Sequence, residues 1–335
     1  MTSLSLPCGE AGQGPDKRTS CLVLGIDKCS ACSTSTGAWP AFHTCATRED
    51  EIPNRLIRKE YEHTVSETTY ALGHSSAEIQ RLKNQAAMLR PITERLLRGA
   101  GIDIGGRVLD LGCGAGDVSL LAAELVGPAG YVVGIDHSQE VLNVARKRAQ
   151  EAGLRQIGFV RALVEDSSVD ESFDLVIGRY ILIHQQEPVA LLCKAARLVR
   201  PGGSLAFHEV RMSGVTKSFP YVPLWDLTIN LVRIALQSSV SNYDGADRLG
   251  EHFTEAGLPY PHPFCEELVG GSADSPLYGS LAELLQTLQP QPERTRIMTA
   301  ETIAMDGLES RLRDAVIEAR SQIYGPAQVC AWARL

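Results

Sequence analysis

An apolar strand that runs directly into a glycine-rich turn constrains the fold of this chain more than any other feature. Residues 107–117 read R-V-L-D-L-G-C-G-A-G-D, and residues 118–125 continue as an apolar helix. A strand, a glycine turn and a helix in this order form the first unit of a nucleotide-binding α/β fold. In that unit, backbone N–H groups and the helix N-terminus face the ligand. The stretch therefore predicts a parallel sheet that binds its ligand beyond the carboxyl ends of the strands.

The spacing of the glycines distinguishes between classes of ligand. Gly112, Gly114 and Gly116 follow the pattern G-x-G-x-G, whereas the dinucleotide fingerprint is G-x-G-x-x-G. A second predicted strand, residues 130–136, ends in Asp136, about 20 residues after the loop, where an acid accepts the hydroxyls of a ribose. The two motifs disfavour a nicotinamide dinucleotide and predict a different ligand that carries a ribose.

The segments V-L-D-L-G-C-G-A-G-D and V-V-G-I-D-H-S together resemble the class I S-adenosylmethionine (SAM) dependent methyltransferases. F-D-L-V at residues 173–176 and V-R-P-G-G-S-L at residues 199–205 are similar to later segments of the same family. The resemblance covers about residues 61–335 and implies an α/β, Rossmann-like fold. Its expected parts are a seven-stranded, mostly parallel sheet with helices on both faces, an N-terminal helical cover and a helical lid insertion at about residues 212–245. It also implies SAM as the methyl donor and an activity of class EC 2.1.1.

The resemblance further implies which residues bind SAM. In the family, the acid after the second strand binds the ribose, the glycine loop and the acid of the first strand hold the methionine part, and the end of the third strand frames the adenine. On this chain these positions are Asp136 with His137, Asp110, Gly112, Cys113, Gly114 and Gly116, and Leu163 with Val164. Many relatives carry a carboxylate at the adenine position, so Glu165 or Asp166 is an alternative to the Leu163 and Val164 backbone.

The N-terminal cover and the fourth strand supply three more expected SAM ligands. Y-A-L-G-H-S at residues 70–75, followed by a helix, is similar to a segment that closes over the cofactor in a group of bacterial small-molecule methyltransferases. The similarity implies that Tyr70 and Gln85 reach SAM or the acceptor. Arg179 stands at the carboxyl end of the predicted fourth strand, residues 173–180, which faces the ligand.

The fifth predicted strand, residues 204–210, brings candidate bases to the acceptor side. Glu209 or His208 could withdraw a proton from an acceptor hydroxyl, nitrogen or acidic carbon. Glu209 could equally form a hydrogen bond to a neighbouring group, and His184 is either a base or a structural histidine. The lid insertion is rich in bulky apolar residues, which predicts an apolar or aromatic small molecule as the acceptor.

Composition excludes several other functions. The 335 residues carry a formal net charge of −8 without a dense basic block, which argues against nucleic acid as a partner. No apolar run reaches the roughly 18 residues of a membrane span, and no secretion signal is visible, so we expect no membrane association and a cytoplasmic location. Nine cysteines without regular spacing predict free thiols, and the isolated pair Cys29 and Cys32 predicts no metal site.

The remaining organisation follows from local patterns. Residues 1–60 lack a sustained hydrophobic period and are expected to form a poorly ordered extension. A helix with apolar residues from Ile79 to Leu96 follows, with Ser75 and Glu78 as its capping box and Pro91 as a kink. The last apolar run, residues 328–334, predicts a final strand inserted in the sheet.

Four functions remain open at this stage. The first is a methyltransferase that modifies an oxygen, nitrogen or carbon atom of a small molecule, in specialised metabolism. The second is a SAM-binding protein of the same fold that catalyses another reaction, such as a cyclisation. The third is a nucleotide-dependent oxidoreductase, which the glycine spacing disfavours, and the fourth is a binding protein without enzyme activity. The lid is a dimer surface in some relatives, so a homodimer is an open alternative.

Overall fold

The computed structural model of the chain describes residues 76–163, 172–213, 218–288 and 304–335. Several predictions fall outside this part of the chain: the extension over residues 1–60, Tyr70, Val164, the two alternative adenine carboxylates and the N-cap at Ser75. Among the described residues, no helix is long and apolar enough to cross a membrane.

A seven-stranded sheet forms the centre of the molecule, in the order β3-β2-β1-β4-β5-β10-β7. The first five strands of this order are parallel, and β10 pairs antiparallel with both β5 and β7. The strands of this sheet are β1 (Arg107–Leu111), β2 (Tyr131–Asp136), β3 (Ile157–Arg161), β4 (Phe173–Arg179), β5 (Val199–Arg211), β7 (His262–Glu266) and β10 (Ala327–Arg334). The chain reverses direction across the sheet between β1 and β4, which is where ligands bind in open α/β sheets.

Two apolar layers enclose the sheet because its central strands are hydrophobic on both faces. Leu109 and Leu111 of β1 pack on one face against α4 (Pro188–Arg197) and α6 (Leu249–Glu255). Val108 packs on the other face, where α1 (Ser76–Gly99) and α2 (Asp117–Val126) lie. Next to α2, Leu142 and Ala145 of α3 (Gln139–Glu151) pack against Phe159 of β3. The arrangement confirms the predicted Rossmann-like fold.

A second apolar cluster lies beyond the carboxyl ends of the parallel strands. It joins α5 (Pro223–Ser239), which is the predicted lid helix, to α7 (Leu277–Leu288) and α8 (Leu308–Glu318). A small antiparallel sheet borders the cluster, in the order β6-β9-β8. Its strands are β6 (Ser218–Phe219), β8 (Val269–Gly270) and β9 (Gln322–Tyr324). The lid insertion is therefore one part of a larger helical layer.

Element boundaries differ from the predictions in ways that local chemistry explains. The expected turn at residues 200–203 is part of β5, where the pairing with β4 shifts between Val199 and Ser204. The C-terminal residue holds this bulge, since the Gly202 N–H donates to the Leu335 carbonyl and the Leu335 N–H donates to Gly203. β3 ends at Arg161, so Leu163, expected at the end of the third strand, lies two residues beyond it. α1 continues through Pro91 from Ser76 to Gly99.

Candidate active site

The glycine loop between β1 and α2 has a backbone that only glycine adopts easily. Gly112, Gly114 and Gly116 have φ angles of 64°, 52° and 84°, in the left-handed region that disfavours other residues. A Cβ at Gly116 would lie 3.1 Å from the Ala145 side chain, whereas a Cβ at Gly114 would meet no protein atom within 4 Å. One side of the loop thus packs against α3 while Gly114 borders open space.

Asp136 ties this loop to the neighbouring one. Its carboxylate accepts the Gly114 N–H through Oδ2 and the Ser138 N–H through Oδ1, both at 2.9 Å. The His137 ring nitrogen Nδ1 lies 3.3 Å from Asp136 Oδ1. A carboxylate has roughly four lone-pair sites, so about two remain for a ligand. The Asp136 carboxylate therefore holds the loop and can also accept hydrogen bonds from a ligand.

Asp110 is almost completely buried under the same loop. Its carboxylate accepts a hydrogen bond of 2.5 Å from Ser119 Oγ in α2, and burial raises its pKa to about 7. Cys113, whose N–H donates to the Ile135 carbonyl, is also buried. Both residues support the loop from the protein side in this structure.

An apolar cavity opens beside the loop. It encloses about 110 Å³ and lies between α1, α5 and α7, where β4 and β5 end and β10 begins. Tyr180 and Ile183 line it, and Ile181, which lies between them in the chain, packs against Gly112 of the glycine loop. Most lining residues are hydrocarbon, among them Met88, Leu89, Met212, Ile229, Val232, Leu236, Leu277, Leu281 and Leu284. Polar lining groups include Arg81, Gln85, Tyr180, His184, Trp225, Ser280 and Gln328.

Comparison with known proteins identifies the family. A family model described as a methyltransferase domain matches residues 102–256. A demethylmenaquinone methyltransferase of Listeria monocytogenes is 31% identical over 190 residues, which cover 51% of this chain and 76% of that protein. The aklanonic acid methyltransferase DauC of Streptomyces sp. strain C5 is 36% identical over 158 residues, covering 47% of this chain and 70% of that protein. The chain belongs to the class I SAM-dependent methyltransferases.

Solved structures align with this methyltransferase at low identity. The [4+2]-cyclase SpnF is 22% identical, with a TM-score of 0.42 over 72% of this chain and 80% of that chain. The YcgJ protein of Bacillus subtilis is 19% identical, with a TM-score of 0.47 over 72% of this chain and 98% of that chain.

The loop of the methyltransferase fits its donor, SAM. The open side of Gly114, the N-terminus of α2 directly after the loop and the free lone pairs of Asp136 match a ligand with a charged amino acid part and a ribose diol. When bound, SAM supplies an electrophilic sulfonium methyl group. The work of the protein is then to hold the donor and the acceptor atom in line.

The structure argues against the predicted catalytic role of Glu209. The side chain is 1% exposed, and its carboxylate accepts backbone N–H groups of Ile181, Leu182 and Ile183 at 3.1, 2.9 and 3.4 Å. Burial raises the pKa of Glu209, and the three N–H donors oppose this shift. Glu209 therefore anchors the 3-10 turn Leu182–His184 and does not line the cavity.

The same correction applies to His208. Its ring is fully buried, with Nδ1 3.1 Å from Thr93 Oγ1 and Nε2 3.0 Å from Gln328 Oε1. Burial lowers its pKa to about 3, helped by the charge of Arg179. A ring that is enclosed and already paired at both nitrogens has no route to an acceptor proton. β5 contributes Val210 and Met212 to the cavity instead.

His184 is the histidine that the fold brings to the cavity. It ends the 3-10 turn that Glu209 anchors, and Asn242 holds the other side of that turn through the carbonyls of Leu182 and Ile183. Burial lowers the pKa of His184 to about 4, so its imidazole is neutral at pH 7. The neutral imidazole lies on a fixed turn at the cavity wall, where it can accept a proton from a ligand.

The other residues expected to bind SAM lie in different parts of the molecule. Gln85 lines the cavity. Arg179 is largely buried between α1 and α2, with its guanidinium 3.4 Å from Thr93 Oγ1 and 3.7 Å from Asp117 Oδ2. Leu163 is half-buried two residues beyond β3.

Sequence reasoning did not identify several of the cavity residues. Trp225 is one of the bulky residues of the predicted lid, but the sequence pattern gives it no place in the site, and it does not single out Arg81, Ser280 or Gln328. Gln328 reaches the cavity because β10 is antiparallel and begins at the edge where β4 and β5 end. The amphipathic spacing of residues 277–288 was the available signal for the wall that α7 forms.

Proposed function

We propose that this methyltransferase transfers the methyl group of SAM to an oxygen, nitrogen or carbon atom of an apolar or aromatic small molecule, in specialised metabolism. The observation that carries the proposal is the cavity beside the glycine loop, whose walls are largely hydrocarbon with a few polar groups, as is usual for small-molecule sites. The names of the two relatives, which state demethylmenaquinone and aklanonic acid, agree with a small-molecule acceptor. The net charge of −8 disfavours a polyanionic acceptor.

We propose Asp136 as the ribose ligand and the loop from Gly112 to Gly116 as the site of the methionine part. Their support is the open side of the loop and the remaining lone pairs of the carboxylate. His137 and Leu163 lie at the ends of the adjacent strands β2 and β3, where they would border the nucleoside. We propose that Asp110, Cys113 and Arg179 do not contact SAM directly. They support its site through contacts with the loop and with α2.

We infer that His184 is the base for acceptors that lose a proton. The imidazole takes the proton of an acceptor hydroxyl as that oxygen receives the methyl group, and S-adenosylhomocysteine is left as the second product. Glu209 is then a positioning residue, because its three backbone hydrogen bonds hold the turn that carries His184.

Transfer of a labelled methyl group tests the acceptor class. The purified protein is incubated with methyl-labelled SAM and, separately, with demethylmenaquinone, aklanonic acid, a panel of naphthols and aromatic amines, total RNA, and a protein extract. We expect label on an apolar small molecule. Label on RNA or protein alone, with none on small molecules, would contradict the proposal.

Filling the cavity locates the acceptor. Ile229 lines the cavity and is 7% exposed, whereas Leu227 on the same helix is 39% exposed. We expect Ile229→Trp to abolish transfer while SAM still binds, because the indole occupies the acceptor space. Leu227→Trp adds the same group on the outer side of the helix, so its activity should remain near that of the wild type.

A further inference from the structure

A chain of polar contacts, one ion pair followed by four hydrogen bonds, connects the N-terminus of α2, beside the glycine loop, with the polar end of the cavity. Its contacts run from Asp117 to Arg179 at 3.7 Å, to Thr93 at 3.4 Å, to His208 at 3.1 Å, to Gln328 at 3.0 Å and to Tyr180 at 2.6 Å. Tyr180 and Gln328 line the cavity. The direction of each hydrogen bond in this chain decides what the cavity offers to a ligand.

Gln328 fixes the direction at its own position. Its Nε2 lies 2.8 Å from the Pro326 carbonyl oxygen, which can only accept, so the amide nitrogen faces Pro326. Its Oε1 must therefore face the other two partners, and an amide oxygen can only accept. Both the Tyr180 hydroxyl and His208 Nε2 consequently donate to Gln328 Oε1.

His208 and Thr93 complete the assignment from their partners. A neutral imidazole that carries its proton on Nε2 has an acceptor at Nδ1, so the Thr93 hydroxyl donates to it. Thr93 Oγ1 in turn accepts from the Arg179 guanidinium. The Thr93 proton has a second acceptor in the Leu89 carbonyl oxygen at 3.2 Å, but the orientation of Gln328, and with it the Tyr180 hydrogen bond, does not depend on that choice.

The consequence falls on Tyr180. Its single hydroxyl proton is committed to Gln328, so the phenol oxygen has only lone pairs left for a ligand. Tyr180 also has a φ of 56°, an uncommon backbone for a bulky residue, of the kind that persists mainly at functional sites. This backbone directly follows β4, where Ile181 packs against Gly112 of the donor loop.

We propose that Tyr180 is a specificity-determining residue whose phenol oxygen accepts a hydrogen bond from a hydroxyl or N–H group of the acceptor molecule. This inference rests on the proposed function and narrows it. The acceptor class becomes an apolar or aromatic molecule that carries a hydrogen-bond donor at the end that meets the Tyr180 phenol oxygen. A molecule with only an ether or carbonyl oxygen at that end would place lone pairs against lone pairs.

Two matched probes test the inference without any methyl transfer. Binding of 2-naphthol, which has a hydroxyl, and of 2-methoxynaphthalene, which has an ether, is measured by calorimetry in the presence of S-adenosylhomocysteine. We expect the wild type to bind 2-naphthol about threefold to tenfold more tightly, the range of one net hydrogen bond. In Tyr180→Phe the ratio should fall to one or below, whereas Tyr131→Phe, on β2 and outside the cavity lining, should keep the wild-type ratio.

Gln328→Leu supplies a readout that a merely structural tyrosine would not give. The substitution frees the Tyr180 hydroxyl proton to donate, so the preference should shift towards 2-methoxynaphthalene. Thermal unfolding of each variant establishes that it is folded. Equal binding of both probes to the wild type, or a ratio unchanged in Tyr180→Phe, would overturn the role of Tyr180 and leave the proposed function standing. Binding of neither probe would overturn the apolar acceptor cavity itself, and the inference with it.

Discussion

At the scale of single residues, burial decides which acids and bases take part in chemistry. Glu209 and His184 meet at the same short turn, Leu182–His184. Glu209 accepts hydrogen bonds from backbone N–H groups of this turn, whereas His184 ends the turn and lines the cavity. The three backbone N–H groups that the Glu209 carboxylate binds enclose it. The half-buried imidazole of His184 lines the cavity, where a ligand can reach it.

Replacing His184 should separate catalysis from binding. We expect His184→Gln to lower kcat by about 100-fold or more for acceptors that lose a proton, with little change in SAM affinity. Because burial lowers the pKa of His184 to about 4, the imidazole stays unprotonated as the pH falls from 8 to 5. The wild-type kcat/KM should therefore lose its base only near pH 4, measured as a pH profile with labelled SAM. A profile that instead falls with an apparent pKa near 6.5 would contradict this role.

Asp136 should control the affinity for SAM and for S-adenosylhomocysteine. The substitution Asp136→Ala removes the acceptor for the ribose and two backbone hydrogen bonds that hold the loop. Charge-assisted hydrogen bonds are worth about 1.5–3 kcal/mol each, so we expect at least a tenfold weaker Kd by calorimetry. Glu140→Ala, an exposed acid in the first turn of α3, is the matched control. Unchanged affinity in Asp136→Ala would remove this residue from the donor site.

At the scale of elements, the glycine loop depends on a glycine in the strand beneath it. A Cβ at Gly134 of β2 would lie 2.8 Å from Phe159, 2.8 Å from Ser119 Oγ and 2.9 Å from Cys113 Sγ. Cys113 belongs to the loop and Ser119 to the first turn of α2. Any side chain at position 134 must therefore displace the donor site.

Gly134→Ala should consequently weaken SAM binding as well as stability. Overpacking of this kind costs about 1–3 kcal/mol, measured as the free energy of unfolding in denaturant, and we expect SAM affinity to fall with it. Gly158→Ala in the neighbouring strand β3 is the control, because its Cβ would meet only Tyr131 at 3.7 Å. Similar effects of the two substitutions would refute the packing argument.

At the scale of the whole molecule, the C-terminal strand completes both the sheet and the site. β10 pairs over eight residues with β5 and over five with β7, and its Gln328 lines the cavity. A strand between two others leaves unpaired backbone groups on both neighbours when it is removed. The last nine residues are thus as central to the fold as β1.

We expect deletion of residues 327–335 to abolish cooperative unfolding, measured by circular dichroism, and SAM binding, measured by calorimetry. The opposite end of the chain is expected to behave differently, since residues 1–60 carry no hydrophobic period. A protein that begins at residue 61 should bind SAM with wild-type affinity. Retention of binding by the C-terminally deleted protein would show that the sheet is stable without β10.

The sequence by itself determined the fold class, the donor and the location of the donor loop. These depend on short-range rules: three glycines at positions of positive φ, an acid at the end of the next strand, and alternating apolar strands and helices. The inserted position of the last strand was also predictable, from its apolar run and the family resemblance. Local patterns sufficed for the donor loop because it lies within one strand, loop and helix unit.

Only the tertiary structure decided which polar residues reach the acceptor. Glu209 and His208 stand at the expected edge of the sheet, but contacts from Thr93 of α1, from the turn after β4 and from Gln328 of β10 enclose them. Those partners are between 26 and 120 residues away along the chain. Whether a side chain is buried and paired depends on packing between distant segments, and no local period encodes it.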